Sequence, residues 1–196
     1  MTTATQTLEP GAQTSGITNA KLGIWLFLAS ELMLFATLFT TYLVLRIASV
    51  EWPRGWEVLN VPLAMINTFV LITSSVTMVL AYAKAAERDL KGFRFYMWAT
   101  LLLGSTFLVI KSFEYGAKLH HHHYPSTSIF FAVYFTMTGL HCLHIIGGLI
   151  VNAGLLYLSG EQWDHPLFIG RIEGAGLYWH FVDVIWIFLF PALYLL

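Results

Sequence analysis

Five stretches of this chain are apolar for twenty residues or more, and short polar connections separate them. They run over about residues 22–45, 58–83, 93–115, 127–158 and 172–196. A helix needs about 20 apolar residues to cross the hydrocarbon core of a bilayer. The pattern therefore predicts an all-α, polytopic membrane protein: a five-transmembrane-helix bundle that forms one domain over residues 21–196. Residues 1–20 are polar and hold neither Lys nor Arg nor an apolar core, so they read as a flexible tail rather than a signal peptide. Pro53, Pro62, Pro125 and Pro166 fall in or beside the connections, where proline costs little. Glu31 is the only charge inside the first span. The second span is free of charge but rich in hydroxyls (Thr68, Thr73, Ser74, Ser75, Thr77). Lys111 and Glu114 close the third span, where long side chains are expected to snorkel to the interface.

Composition sharpens this picture. Hydrophobic residues make up 57% of the 196 and charged residues 11%, against about a quarter charged in a soluble domain. The net charge of −1 and the lack of a basic patch exclude nucleic acid as a partner. Cys142, the only cysteine, cannot form an internal disulfide or a two-cysteine metal centre. With the N-terminus inside, Lys21, Lys84, Arg88, Lys91, Arg94 and Arg171 lie on the inner side, and Arg46, Arg54, Lys111 and Lys118 on the outer. The dense loop KAAERDLKGFR makes the N-terminus cytoplasmic and the C-terminus periplasmic under the positive-inside rule. No inverted repeat or broken span of the kind found in transporters is visible.

A carboxylate at the centre of a span costs roughly 2.5–3.5 kcal/mol, so Glu31 asks for a partner or a use. It lies about 15 Å along its helix at 1.5 Å per residue. His141 and His144 fall near the middle of the fourth span, and His180 and Asp183 at similar depth in the fifth. Each of these two pairs has i,i+3 spacing and so shares a helix face. Intramembrane charges face the bundle interior and pair with one another, which predicts a buried protonatable seam of Glu31, His141, His144, His180 and Asp183. Removal of Asp183 is then expected to leave polar partners unpaired. Two uses stay open: core polar groups that merely hold the helices together, or a proton-accessible, lipid-headgroup or metal site. Three histidines are too few for a haem-copper centre or a di-haem bundle, so no metal and no redox cofactor is expected in this chain. The run His120–His123 reads as a solvated outer loop. The glycines Gly139, Gly147, Gly148 and Gly154 allow close helix approach. Trp52, Trp56, Trp98, Trp163 and Trp179 are placed as an interfacial belt.

Two segments carry a resemblance. EGAGLYWHFVDVIWIFLF (173–190) and TGLHCLHIIGG (138–148) closely resemble subunit III of haem-copper respiratory oxidases, the cytochrome c oxidase subunit III family. ASELMLFATLFTTY, VPLAMINTFVLITSSVTMVLA and KSFEYGA extend the likeness over roughly residues 20–196. The spacing before Asn67 is one residue longer than in the family. The long form of the family has seven helices, and this chain is similar to its five-helix bacterial form. The resemblance implies that it builds only part of the lipid-holding cleft of the long form, unless a partner subunit supplies the rest. The arginine that the resemblance implies near the inner end of the fourth span is absent, since residues 155–160 hold no basic residue.

The resemblance implies a non-catalytic core subunit of a proton-pumping oxidase in the bacterial cytoplasmic membrane. It would pack on subunit I, in a complex with subunit II and a small subunit IV, and would support proton uptake and oxygen access. Haems and copper would belong to the partner subunits, and phospholipid would bind to this one. Glu114, Tyr178, Trp179 and Trp186 are expected as lipid or subunit contacts. Glu31 would be the family's buried carboxylate. The alternatives are subunit III of a quinol oxidase, an accessory protein of a nitric oxide reductase, and, from other classes, an independent proton channel or a stand-alone membrane cytochrome b.

Overall fold

The computed structural model describes residues 19–120 and 124–196. Helices α1 (Asn19–Ala48), α3 (Val61–Ala86), α4 (Leu90–His120), α5 (Ile129–Leu158) and α6 (Phe168–Phe190) are joined by short connections, one of which contains the single-turn helix α2 (Gly55–Val58). A π-helical turn, Pro191–Leu195, continues α6 to the end of the chain. All five long helices are long and apolar enough to cross a membrane, and the protein is a multi-pass membrane protein. Most of the expected tail, residues 1–18, and His121–His123 lie outside the described residues.

The ends of the helices are marked locally. Asn60 caps α3 by accepting from the Leu63 amide at 3.1 Å, with Pro62 in the first turn where its missing N–H costs nothing. Ser128 caps α5 through the Phe131 amide. Between α3 and α4 the chain reverses in three residues. Arg88 takes a left-handed backbone (φ 61°), which lets the Asp89 amide reach the Lys84 carbonyl, and Asp89 then caps α4 through the Gly92 amide.

Packing follows a three-four spacing of inward positions. In α3 these are Ala64, Asn67, Leu71, Ser74, Met78, Ala81 and Ala85, and in α4 Phe93, Met97, Thr100, Gly104, Phe107, Lys111 and Glu114. This is the repeat of helices packed side by side at a shallow crossing angle. Helices α3, α4, α5 and α6 form a closed ring of four in which α3 touches α4 and α6, and α5 touches the same two. Helix α1 stands outside the ring against α6 and α5. Its contact is a single seam of Lys21, Ile24, Leu28, Glu31, Phe35, Leu38 and Tyr42. Polar ties reinforce the seam at both ends: Lys21 to Glu173 at 2.6 Å, and Tyr42 and Arg46 to the carbonyls of Ala192 and Leu196.

The expectation that Lys111 and Glu114 snorkel outward is corrected. They are 1% and 5% exposed, because the inward register of α4 runs on through both positions. Trp179, expected in the interfacial belt, is likewise a core residue at 1% exposure.

Candidate functional site

Glu31 lies on the α1 seam, and its Oε2 meets Nε2 of His144 on α5 at 2.8 Å, with the two side chains 17% and 14% exposed. The other ring nitrogen of His144, Nδ1, lies 2.8 Å from the Leu140 carbonyl one turn earlier. A carbonyl only accepts, so Nδ1 carries a hydrogen. One proton is then left for the contact with Glu31. Either the carboxylic acid donates to Nε2, or Nε2–H donates to the carboxylate. The pair is electrically neutral in both forms, which removes most of the cost of a charge inside the membrane. Phe35 meets the imidazole edge-on at 5.2 Å, and the Tyr178 hydroxyl donates to the His144 carbonyl at 3.0 Å. The outcome is a clamped carboxyl–imidazole contact between α1 and α5.

The rest of the expected seam is dispersed. His180 Nδ1 lies 2.5 Å from the Ser75 hydroxyl on α3. Asp183 is 4% exposed, and neither carboxyl oxygen has a hydrogen-bond partner among the described residues. The expectation that its loss unpairs its partners is therefore corrected. His141 is fully buried, stacked on Trp186 with ring centroids 5.2 Å apart, and both of its ring nitrogens lack hydrogen-bond partners among the described residues. At i,i+3 from His144 it sits on the adjoining strip of α5, directed into the ring of four rather than toward α1. Glu31 and His144 are the only two of the five that the fold joins directly, among the described residues.

A second polar cluster is the one that sequence reasoning missed. Lys111 Nζ binds Glu114 Oε2 at 2.9 Å and the Tyr194 hydroxyl at 2.5 Å, 4.6 Å from the centre of the Trp186 ring. Glu114 Oε1 accepts from Tyr194 at 2.6 Å and from Tyr134 at 3.0 Å. The cluster gathers α4, α5 and the terminal turn around one buried ion pair. The lipid- or subunit-contact role expected for Trp179 and Trp186 is corrected, since both are 1% exposed and spent on contacts inside the chain. Trp186 donates to the Thr68 hydroxyl at 2.9 Å and Trp179 to the Ser74 hydroxyl at 3.1 Å. Tyr178 lines a surface groove of about 590 Å³ between α1, α5 and α6, with Arg171 at the end nearest the α1 N-terminus, and Glu114 edges a smaller one of about 300 Å³ beside Asn60 and Lys118. Among the described residues, no three His, Cys, Asp or Glu side chains converge to hold a metal ion.

This geometry can be set beside known proteins. The profile of the family described as Cytochrome c oxidase subunit III matches residues 4–196. Cytochrome c oxidase subunit 3 of Bacillus sp. (strain PS3) is 35% identical to this chain, over 91% of it and 86% of the relative. Quinol oxidase subunit 3 of Bacillus subtilis (strain 168) is 36% identical, over 89% and 86%. Cytochrome bo(3) ubiquinol oxidase subunit 3 of Pseudomonas putida is 32% identical, over 89% and 84%.

Proposed function

The chain belongs to the cytochrome c oxidase subunit III family, and on that premise we propose that it is the non-catalytic subunit III of a proton-pumping haem-copper terminal oxidase that reduces oxygen to water. The match along almost the whole chain is the observation that carries this reading. In it the chain packs directly on subunit I, beside subunit II and a small subunit IV, in the bacterial cytoplasmic membrane. The N-terminus is cytoplasmic and the C-terminus periplasmic. Haems and copper reside in the partner subunits, and phospholipid fills the groove between α1, α5 and α6. Purification in mild detergent from native membranes tests the proposal. Recovery with a-type haem and a copper-bearing subunit II supports it. A colourless chain recovered alone overturns it and favours an independent proton channel, for which proton flux through the reconstituted chain would be the sign.

Identities of 35% and 36% to a cytochrome c oxidase and a quinol oxidase subunit keep a second electron donor in view. A complex recovered without the copper of subunit II would identify a quinol oxidase or an accessory protein of a nitric oxide reductase.

Within the complex, we assign the support of proton uptake to the single proton shared by Glu31 and His144. Glu31→Gln is expected to preserve assembly, since the amide N–H can still donate to Nε2. Its loss of an exchangeable proton is expected to lower turnover and pumped protons per electron together. Measurement in proteoliposomes checks this, and unchanged pumping and turnover would remove the assignment.

A further inference from the structure

The seam between α3 and α6 holds titratable groups separate from Glu31 and His144. Asp183 is buried, and among the described residues neither of its oxygens has a hydrogen-bond partner. The surrounding helices offer it no compensating charge. From α1 come Glu31, engaged with His144, and Lys21, engaged with Glu173. From α4 comes Lys111, engaged with Glu114, and from α5 come His141 and His144. Helix α3 brings Ser75, whose hydroxyl lies beside the Asp183 carboxyl without meeting hydrogen-bond geometry and is itself bonded to His180. A bare carboxylate in such a place costs several kcal/mol, while the neutral acid costs far less.

We propose that Asp183 is a proton-holding site: a carboxylic acid that keeps its proton in the folded protein and exchanges it with His180 through the Ser75 hydroxyl. His180 is half-buried and reaches the protein surface, whereas Asp183 does not. Its Nδ1 stands 2.5 Å from Ser75 Oγ. In the filling step, protonated His180 gives the Nδ1 proton to Ser75 Oγ as the Ser75 hydroxyl proton passes to the Asp183 carboxylate. One N–H bond breaks at His180, one O–H bond forms at Asp183, and Ser75 is left as it began. The positive imidazolium and the negative carboxylate both become neutral. The reverse step empties the site, and no electron or co-reactant is needed.

The test uses the purified complex that contains this chain. Asp183→Asn replaces the acid by a neutral group of the same shape, so complex yield and thermal midpoint are expected to match the wild type. Asp183→Ala, which leaves a cavity, is expected to lower both. An Asn variant as damaged as the Ala variant overturns the neutral acid. Infrared spectra at neutral pH are expected to show a carboxylic C=O stretch in the wild type that Asp183→Asn lacks, and absence of that band overturns the site as well. In D2O the band is expected to shift as the proton exchanges, and Ser75→Ala to slow that shift at least about tenfold, which corresponds to ~1.4 kcal/mol. Equal exchange rates with and without the hydroxyl overturn the relay through Ser75.

Discussion

Substituting Glu114 with Gln is expected to destabilise the protein by about 3–5 kcal/mol, the usual cost of removing one partner of a buried ion pair. The amide can still accept from Tyr134 and Tyr194, so the hydrogen bonds are largely kept and the lost term is the negative charge. Lys111 would then stand 1% exposed, facing a tyrosine hydroxyl and the faces of aromatic rings. A desolvated cation over an indole gains about 2 kcal/mol, which offsets only part of the penalty. The sharper expectation concerns the double variant Lys111→Met with Glu114→Gln. It removes both charges and keeps an acceptor for the tyrosines, so much of the lost stability should return. Thermal midpoints and yields of the assembled complex for the four members of the cycle measure this coupling directly. Simple addition of the two single effects would mean that the pair does not act as a unit.

The same cluster shows where the sequence is legible and where it is not. Five apolar stretches separated by polar turns predict five spanning helices, because length and apolarity are properties of each segment alone. That Glu31 needs a polar partner at its own depth follows from the cost of an intramembrane charge together with depth arithmetic, which leaves His144 and His180 equally open. The continuity of the seam does not follow. Depth places His141, His144, His180 and Asp183 in one layer, but a layer in a five-helix protein has several faces. His144 looks toward α1 and His141 into the ring of four. His180 looks toward α3. Matching depth is necessary for contact, and azimuth decides it.

Lys111 and Glu114 lie inside the bundle for a different reason. Position near a helix end argues for snorkelling, and the charges suggest water. The register argues the opposite. Phe93, Met97, Thr100, Gly104 and Phe107 step by four, three, four and three residues, and the next steps land on Lys111 and Glu114. That repeat is present in the sequence itself and outweighs the end effect, since the pair can satisfy itself at i,i+3 once it is carried inside. The tyrosines that complete it could not be read so. Tyr194 reaches the cluster only because the last turn folds inward and is held by Tyr42 and Arg46 of α1. Gly55 lets that turn approach: a Cβ there would stand 3.0 Å or less from backbone atoms of Leu193 and Tyr194.

Gly148→Ala is expected to destabilise the protein by about 1–3 kcal/mol, the range for forcing atoms into a filled core. An added Cβ would lie 2.7 Å and 2.8 Å from Cε3 and Cζ3 of Trp179. The indole has no free direction in which to retreat. Its far edge rests on Gly104 of α4, where a Cβ would come within 2.8 Å of Cη2, and its Nε1–H is tied to Ser74 of α3 at 3.1 Å. Trp179 is thus a wedge of α6 held between glycines of two neighbouring helices, and it sits one residue from Tyr178, which holds the His144 backbone. The damage is therefore expected to reach the pair of Glu31 and His144 as well as the thermal midpoint. Trp179→Phe combined with Gly148→Ala should recover part of the loss, because the smaller ring vacates the contested volume. Ser74 tolerates that change, since its hydroxyl still donates to the Thr100 carbonyl. An alanine at 148 that leaves the midpoint unchanged would show that the indole is not confined, and the rescue by phenylalanine would then have nothing to restore.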